Sequence, residues 1–170
     1  GEIHTTFIGV WYVTWGTDGQ DNAIIPDGAN GCFVTWGDGR TLGSTNTDVY
    51  AQHLTASGSV AAGWAPNGVP VCTEPGEQSG PGLLSDGAGG VIATWADSRP
   101  GVFVQHVSAS GSCQWTTNGV PVCTDLSPQT RPSLVTDAVG GIEVAWMDER
   151  NSTSASSPTA EPYVQRLDVN

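Results

Sequence analysis

The chain is 170 residues long, about one domain's worth, and its 23 Gly and 11 Pro place a fifth of it in the two residue types that interrupt regular structure, so long helices are not expected. Charged residues make up 13% and hydrophobic residues 38%, with seven Trp, which is too apolar for a disordered chain. Seventeen acids stand against five basic residues, all Arg, for a net charge of −12, and this excludes the basic patch that a nucleic acid or an anionic membrane would need.

The segment Asn67-Gly68-Val69-Pro70-Val71-Cys72-Thr73 recurs letter for letter at residues 118 to 124, so the chain is a repeat array. At that offset of 51, Gln78, Pro81, Leu83, Asp86, Gly90, Trp95, Asp97 and Arg99 fall on Gln129, Pro132, Leu134, Asp137, Gly141, Trp146, Asp148 and Arg150. A third copy, offset by 110, pairs Asp27, Gly31, Val34, Trp36, Asp38 and Arg40 with Asp137, Gly141, Val144, Trp146, Asp148 and Arg150.

Taken in chain order, the first expected element is a strand at residues 10 to 13, because Gly1, Thr6, Gly9, Val10 and Thr14 match Gly111, Thr116, Gly119, Val120 and Thr124. The first full unit follows, with a short strand at Ile24-Ile25, a Gly-rich turn at 27 to 31, and a strand ending at Trp36. Its third and fourth strands are expected at 49 to 54 and 69 to 72. The second unit repeats this order at Leu83-Leu84, the turn 86 to 90, a strand ending at Trp95, then 102 to 107 and 120 to 123. The third has Leu134-Val135, the turn 137 to 141, a strand ending at Trp146, and a strand at 163 to 167. Tyr50, Phe103 and Tyr163 alternate with Gln52, Gln105 and Gln165 at the period of a strand. Length differences fall at 41 to 48 and 151 to 162, where loops tolerate insertion.

Four short strands per unit of about 50 residues make the blade of a β-propeller. The pattern D-x-x-G-G-x-x-x-x-W-x-D-x-R, then [YF]-x-Q, then G-V-P-V, resembles the tandem repeats of secreted bacterial β-propeller proteins over the whole chain. The first copy departs from it, with Thr5 in the place of Trp115 and Trp11 in that of Pro121. The expected fold is all-β: a propeller-like array of three four-stranded blades forming one repeat domain. Blade one spans about 20 to 74 and blade two about 78 to 124, while blade three is split between 129 to 170 and the strand at 1 to 13. Three blades fall below the roughly four to eight of a closed propeller, so the strand at 1 to 13 is expected to complete a blade in another subunit.

Four Cys without a C-x-x-C pair point to disulfides in an oxidising compartment, hence to a secreted or cell-surface protein. Cys113 with Cys123 is the preferred bridge and Cys32 with Cys72 the remaining pair. Asn151 heads an Asn-Ser-Thr glycosylation sequon in a Ser/Thr/Pro-rich stretch. The longest apolar run, residues 7 to 15, is too short for a membrane span.

The Trp-x-Asp-x-Arg triplets (Trp36, Asp38, Arg40; Trp95, Asp97, Arg99; Trp146, Asp148, Arg150) read as a repeated ion-pair and stacking element that knits blade to blade. Catalysis would bring unlike groups together, and these three are alike. His53 and His106 share a repeat position that Arg166 fills in the third copy, which argues against a metal ligand. Calcium at the Asp-Gly turns is weighed and set aside, because Asp137-Ala138-Val139 lacks further oxygen ligands. No cofactor or metal is expected, nor a catalytic residue, since none of the common hydrolase or metal-site spacings occurs.

The resulting expectation is a non-enzymatic, secreted structural protein that polymerises head to tail. Ile3, Phe7, Val10, Tyr12 and Val13 would pair beside Tyr163, Gln165 and Leu167 of another copy. The competing reading is a lectin-like protein closing a six-bladed ring as a dimer, with glycans bound on exposed Trp. The expected partner is thus the chain itself or a glycan, with no nucleic acid and no membrane span.

Overall fold

The computed structural model describes residues 22–40, 47–137, 139–154 and 156–168, and within them the chain forms three antiparallel sheets. The first comprises β1 (Asn22–Pro26), β2 (Cys32–Asp38), β3 (Asp48–Leu54) and β4 (Val69–Cys72). The second comprises β5 (Gln78–Ser85), β6 (Val91–Asp97), β7 (Gly101–Val107) and β8 (Val120–Cys123). The third comprises β9 (Gln129–Thr136), β10 (Gly141–Asp148) and β11 (Glu161–Asp168). Each sheet is a meander in which chain neighbours pair, and the first strands β1, β5 and β9 lie against one another. The sheets therefore radiate from their first strands, which makes a propeller-like array of blades as the repeat pattern implies.

Side-chain alternation explains how the blades hold together. Along β6, Val91, Ala93 and Trp95 enter an apolar cluster shared with the first sheet, through Phe33, Val49, Trp64 and Val71. Ile92 points the other way, into a second cluster with Ile142, Val144 and Trp146 of the third sheet. A strand buried on both faces reads as a continuous apolar run, and Val91-Ile92-Ala93 is such a run. Full burial of each Val or Ile contributes about 1.5–3 kcal/mol.

The turn between the first two strands of each blade is closed by its aspartate. Oδ1 of Asp27 accepts the N–H groups of Ala29 and Gly31 at 2.7 and 2.8 Å, and Asp86 and Asp137 repeat the arrangement at their own turns. The Gly that ends the turn is required by contact: a Cβ on Gly90 would lie 2.3 Å from the carbonyl oxygen of Val107. The second strand of each blade runs past the expected Trp end to Asp38, Asp97 and Asp148. The expected strand at residues 10 to 13, and with it Ile3, Phe7, Val10, Tyr12 and Val13, lies outside the described residues.

All four cysteines are free, which corrects the expected bridges Cys113–Cys123 and Cys32–Cys72. The registers give the reason. Cys32 pairs with Leu54 at one end of β3 and Cys72 with Val49 near the other, while Cys113 and Cys123 sit opposite Val107 and Val102 of β7. Five residues of strand separate the members of each pair, about 16 Å at ~3.3 Å per residue. A disulfide spans Cα atoms only ~4.4–6.8 Å apart.

Candidate functional site

The repeated triplets form one cluster per blade. Trp36, Trp95 and Trp146 donate their indole N–H to Oδ2 of Asp38, Asp97 and Asp148 at 2.8, 3.0 and 2.9 Å. Two residues on, the backbone N–H of Arg40, Arg99 and Arg150 donates to Oδ1 at 2.9 Å, and the guanidinium reaches Oδ2 at 2.5 Å. Each guanidinium then stacks on the ring of Tyr50, Phe103 or Tyr163, at 4.1, 4.1 and 4.2 Å. The bond from Arg150, helped by Trp146, holds the Asp148 carboxyl well below the usual carboxylate range despite its burial. At Asp38 burial pushes the pKa up, but the bonds from Arg40 and Trp36 outweigh it and the net shift is downward. In each blade both oxygens of this carboxylate are engaged by donors of the chain itself.

The same cluster joins one blade to the next through a thiol. Cys72 Sγ, at the end of β4, lies 3.4 Å from the Arg99 guanidinium and 3.8 Å from Asp97 Oδ2. Cys123 Sγ makes the equivalent approach to Arg150 at 3.1 Å and Asp148 at 4.0 Å. Burial pushes the Cys72 thiol up to about 12, so it stays protonated and serves as a weak donor to the carboxylate. The cysteine of the Gly-Val-Pro-Val-Cys-Thr motif is thus a contact between blades rather than half of a bridge.

Side chains from the third strand also hold the turn aspartates. His53 Nε2 meets Asp27 Oδ2 at 3.0 Å, His106 meets Asp86 at 2.8 Å, and Arg166 takes the same place on Asp137. With Oδ1 accepting two backbone N–H groups, these carboxylates are occupied by the protein itself. Among the described residues no group of His, Cys, Asp and Glu is arranged to hold a metal.

Residues that differ between blades come together elsewhere. A groove of about 300 Å³ runs between the second sheet and the approach to β9, with Glu77, Asp97, Ser98, Leu126, Ser127 and Gln129 among its lining residues, together with Ser79, Pro100 and Pro128. Glu77 is exposed, and Leu126 projects with 85% of its surface in solvent. The backbone is drawn in tightly here: Gly76 has φ +110°, and a Cβ on it would come 2.0 Å from Ser98 Oγ. Ser98 N–H donates to the Glu77 carbonyl at 2.8 Å, which fixes the two sides of the groove to one another. None of these groove residues except Asp97 and Gln129 was singled out by the repeat, and their signal lay in its exceptions. At the offset of 51, Glu77, Ser98 and Pro100 stand where blade three has Pro128, Glu149 and Asn151.

The remaining sequence candidates fall as follows. Tyr163 and Leu167 turn into the cluster shared with the second sheet, whereas Gln165 is exposed. Asn151 is exposed, and its amide nitrogen donates to Glu161 at 2.8 Å and to the Tyr163 hydroxyl at 3.0 Å. Trp36, Trp64, Trp95 and Trp146 are buried, so the stacking platforms of the lectin-like reading are not available on them. Among the described residues no helix is long and apolar enough to cross a membrane.

No family model and no curated protein matches the chain. Solved structures do share its fold. The crystal structure of an α-L-arabinofuranosidase from Lactobacillus brevis matches with a TM-score of 0.54 at 15% identity, over 88% of this chain and 52% of that one. A thermostable family-43 glycoside hydrolase matches with a TM-score of 0.56 at 12% identity, over 88% of this chain and 55% of that one. The chain spans about half the length of each. At such identities the likeness is one of fold, an all-β propeller-like architecture shared with carbohydrate-active enzymes. It corrects the expectation of a filament-forming structural protein: the architecture is one that glycoside hydrolases use, and the repeat pattern from which polymerisation was argued specifies blades rather than filaments.

Proposed function

We propose that this chain is a three-blade portion of a carbohydrate-engaging β-propeller, with the groove between the second and third sheets as its sugar contact. The groove carries the reading. Its volume of about 300 Å³ sits at the small end of ligand clefts, which run from ~300 to 1,000 Å³. Ser79, Ser98 and Ser127 supply hydroxyls and Glu77 a carboxylate for sugar hydroxyls, while Leu126, Pro100 and Pro128 offer apolar surface to the C–H face of a ring. A chain of net charge −12 favours a neutral saccharide over a uronic or sulfated one. The two solved structures of like fold, both glycoside hydrolases, support the substrate class, and the arabinofuranosidase makes arabinose-containing oligosaccharides the first ligands to test.

Binding is favoured over cleavage at this groove. Glycoside hydrolysis uses a pair of carboxyl groups across the scissile bond. Here Glu77 is free to act, but Asp97 is committed to Arg99 and Trp95. With no disulfide formed, a secreted location rests on the repeat resemblance alone. The test is affinity electrophoresis and calorimetry against neutral oligosaccharides for the chain and for Glu77→Ala and Leu126→Ala. Both residues are exposed, so both variants should keep the parent melting temperature while losing about fivefold in affinity, a hydrogen bond's worth at Glu77 and an apolar contact's worth at Leu126. Lack of binding to every neutral glycan, or binding indifferent to both changes, would overturn the proposal.

A further inference from the structure

In the first two sheets a fourth strand covers the outer edge of the third. β3 meets β4 through Val49↔Cys72, Tyr50↔Pro70 and Ala51↔Val69, and β7 meets β8 through Val102↔Cys123, Phe103↔Pro121 and Val104↔Val120. The matching positions on β11 are Pro162, Tyr163 and Val164, and among the described residues no strand lies beyond that edge. Three side chains around it lack, among the described residues, the counterpart that the complete blades provide. Gln105 is fully buried; it donates to the Thr116 carbonyl at 2.9 Å and accepts the Trp115 N–H at 2.9 Å. Gln52 does likewise with the Ala65 carbonyl, at 2.7 Å, whereas Gln165 is exposed and turns back to the carbonyl of its neighbour Arg166. Arg40 and Arg99 reach the carbonyls of Asn67 and Asn118, which lead into the fourth strand, at 2.8 and 3.0 Å. Arg150 holds the same pose over Tyr163 and has no such carbonyl among the described residues. Finally, Gly68 and Gly119 seat on Trp36 and Trp95, where a Cβ would come within 2.5 Å of the indole. Trp146 is the third such ring.

We propose that β11 is an acceptor edge for an extended polypeptide segment of fourth-strand chemistry, the sequence type of residues 112 to 124, docked in the register of β8 on β7. The occupant is defined by the groups that wait for it. A carbonyl followed by Gly must stand at Arg150 and Trp146, because only a residue without Cβ fits over the indole at positive φ. A carbonyl and an N–H some residues earlier must meet Gln165, and an apolar-Pro-apolar stretch then pairs with β11. Unpaired strand edges select strands, since the row of N–H and C=O groups is satisfied only by another extended backbone. This inference concerns the outer edge of the third sheet and stands independently of the sugar groove.

The test is a fluorescence-anisotropy titration of the full chain, under reducing conditions, with a labelled synthetic peptide of residues 112 to 124. Saturable binding is expected, weakened about fivefold by Gln165→Ala in the chain and lost when the peptide carries Gly119→Val. Gln165 is exposed at the open edge, so Gln165→Ala should leave the melting temperature of the peptide-free chain unchanged. Absence of saturable binding, or binding indifferent to both substitutions, would overturn the proposal. So would full protection of the amides at 163 to 167 from hydrogen exchange before peptide is added, since the edge would then already be covered.

Discussion

The second and third sheets follow one sequence pattern, yet among the described residues the second has a neighbouring sheet on both faces and the third on one. The Trp-Asp-Arg cluster is the same in both, with the indole bond at 3.0 and 2.9 Å and the guanidinium bond at 2.5 Å. Among the described residues the cluster is built from the second and third strands of a blade, whether or not a fourth strand or a following sheet is described beside them. Burial of the rest does depend on those neighbours. Val104 is 1% exposed against the third sheet, whereas its counterpart Val164, on the face with no described neighbour, is 64% exposed. Gln105 and Gln165 differ in the same sense through the fourth strand.

Mutations can probe this contrast, beginning with the largest effect. Trp95→Ala, in a fully buried site, should cost about 3–5 kcal/mol by denaturant unfolding, and Trp146→Ala less. Equal losses would show that the roof over Trp95 adds nothing. Gly119→Val places a side chain at φ +90° against Trp95, and overpacking of this kind costs ~1–3 kcal/mol before backbone strain is added. Gln105→Ala leaves the Trp115 N–H and the Thr116 carbonyl without their partner and should cost about 1–3 kcal/mol, while Gln165→Ala should stay within ~0.5 kcal/mol. A loss at Gln165 as large as at Gln105 would mean that the two blades are equally closed.

Acid should act more gradually, and on both sheets. Asp86 is raised by burial but lowered further by His106 and the turn N–H groups, and Asp148 is lowered chiefly by Arg150, so both titrate in the folded chain below their unfolded value, near ~3.9 for Asp. Such groups contribute stability that is complete above the unfolded pKa and is lost as pH falls through the folded one. The melting temperature should therefore be level from about pH 7 to 5 on account of these groups and fall below about pH 4. A fall that begins well above pH 5 would assign the loss to other groups.

Much of the fold was legible because repetition supplies its own alignment. The strands at 69–72 and 120–123 match expectation to the residue, since an identical seven-residue segment marks each. The recurrence of the Trp-x-Asp-x-Arg triplet was legible for the same reason. The cysteines were misread because composition suggested bridges within a blade, while the thiols of Cys72 and Cys123 act across blades, a relation that depends on how sheets stack and not on spacing along the chain. Recurrence of Gln52 and Gln105 was visible, but their burial and bonding to the loop before the fourth strand were not. The groove was hidden for the opposite reason. Glu77, Ser98 and Leu126 are residues the repeat does not share, and attention to what recurs passes over them.

The most direct test of the proposed function is to map a neutral arabinose-containing oligosaccharide onto the chain by amide chemical-shift perturbation. Shifts should concentrate at residues 76–79, 96–100 and 126–129, which border the groove, and should be absent from the indole N–H signals of Trp36 and Trp146. Perturbations centred on those indoles or scattered without saturation would contradict a sugar contact between the second and third sheets, as would spectra unchanged by any neutral glycan.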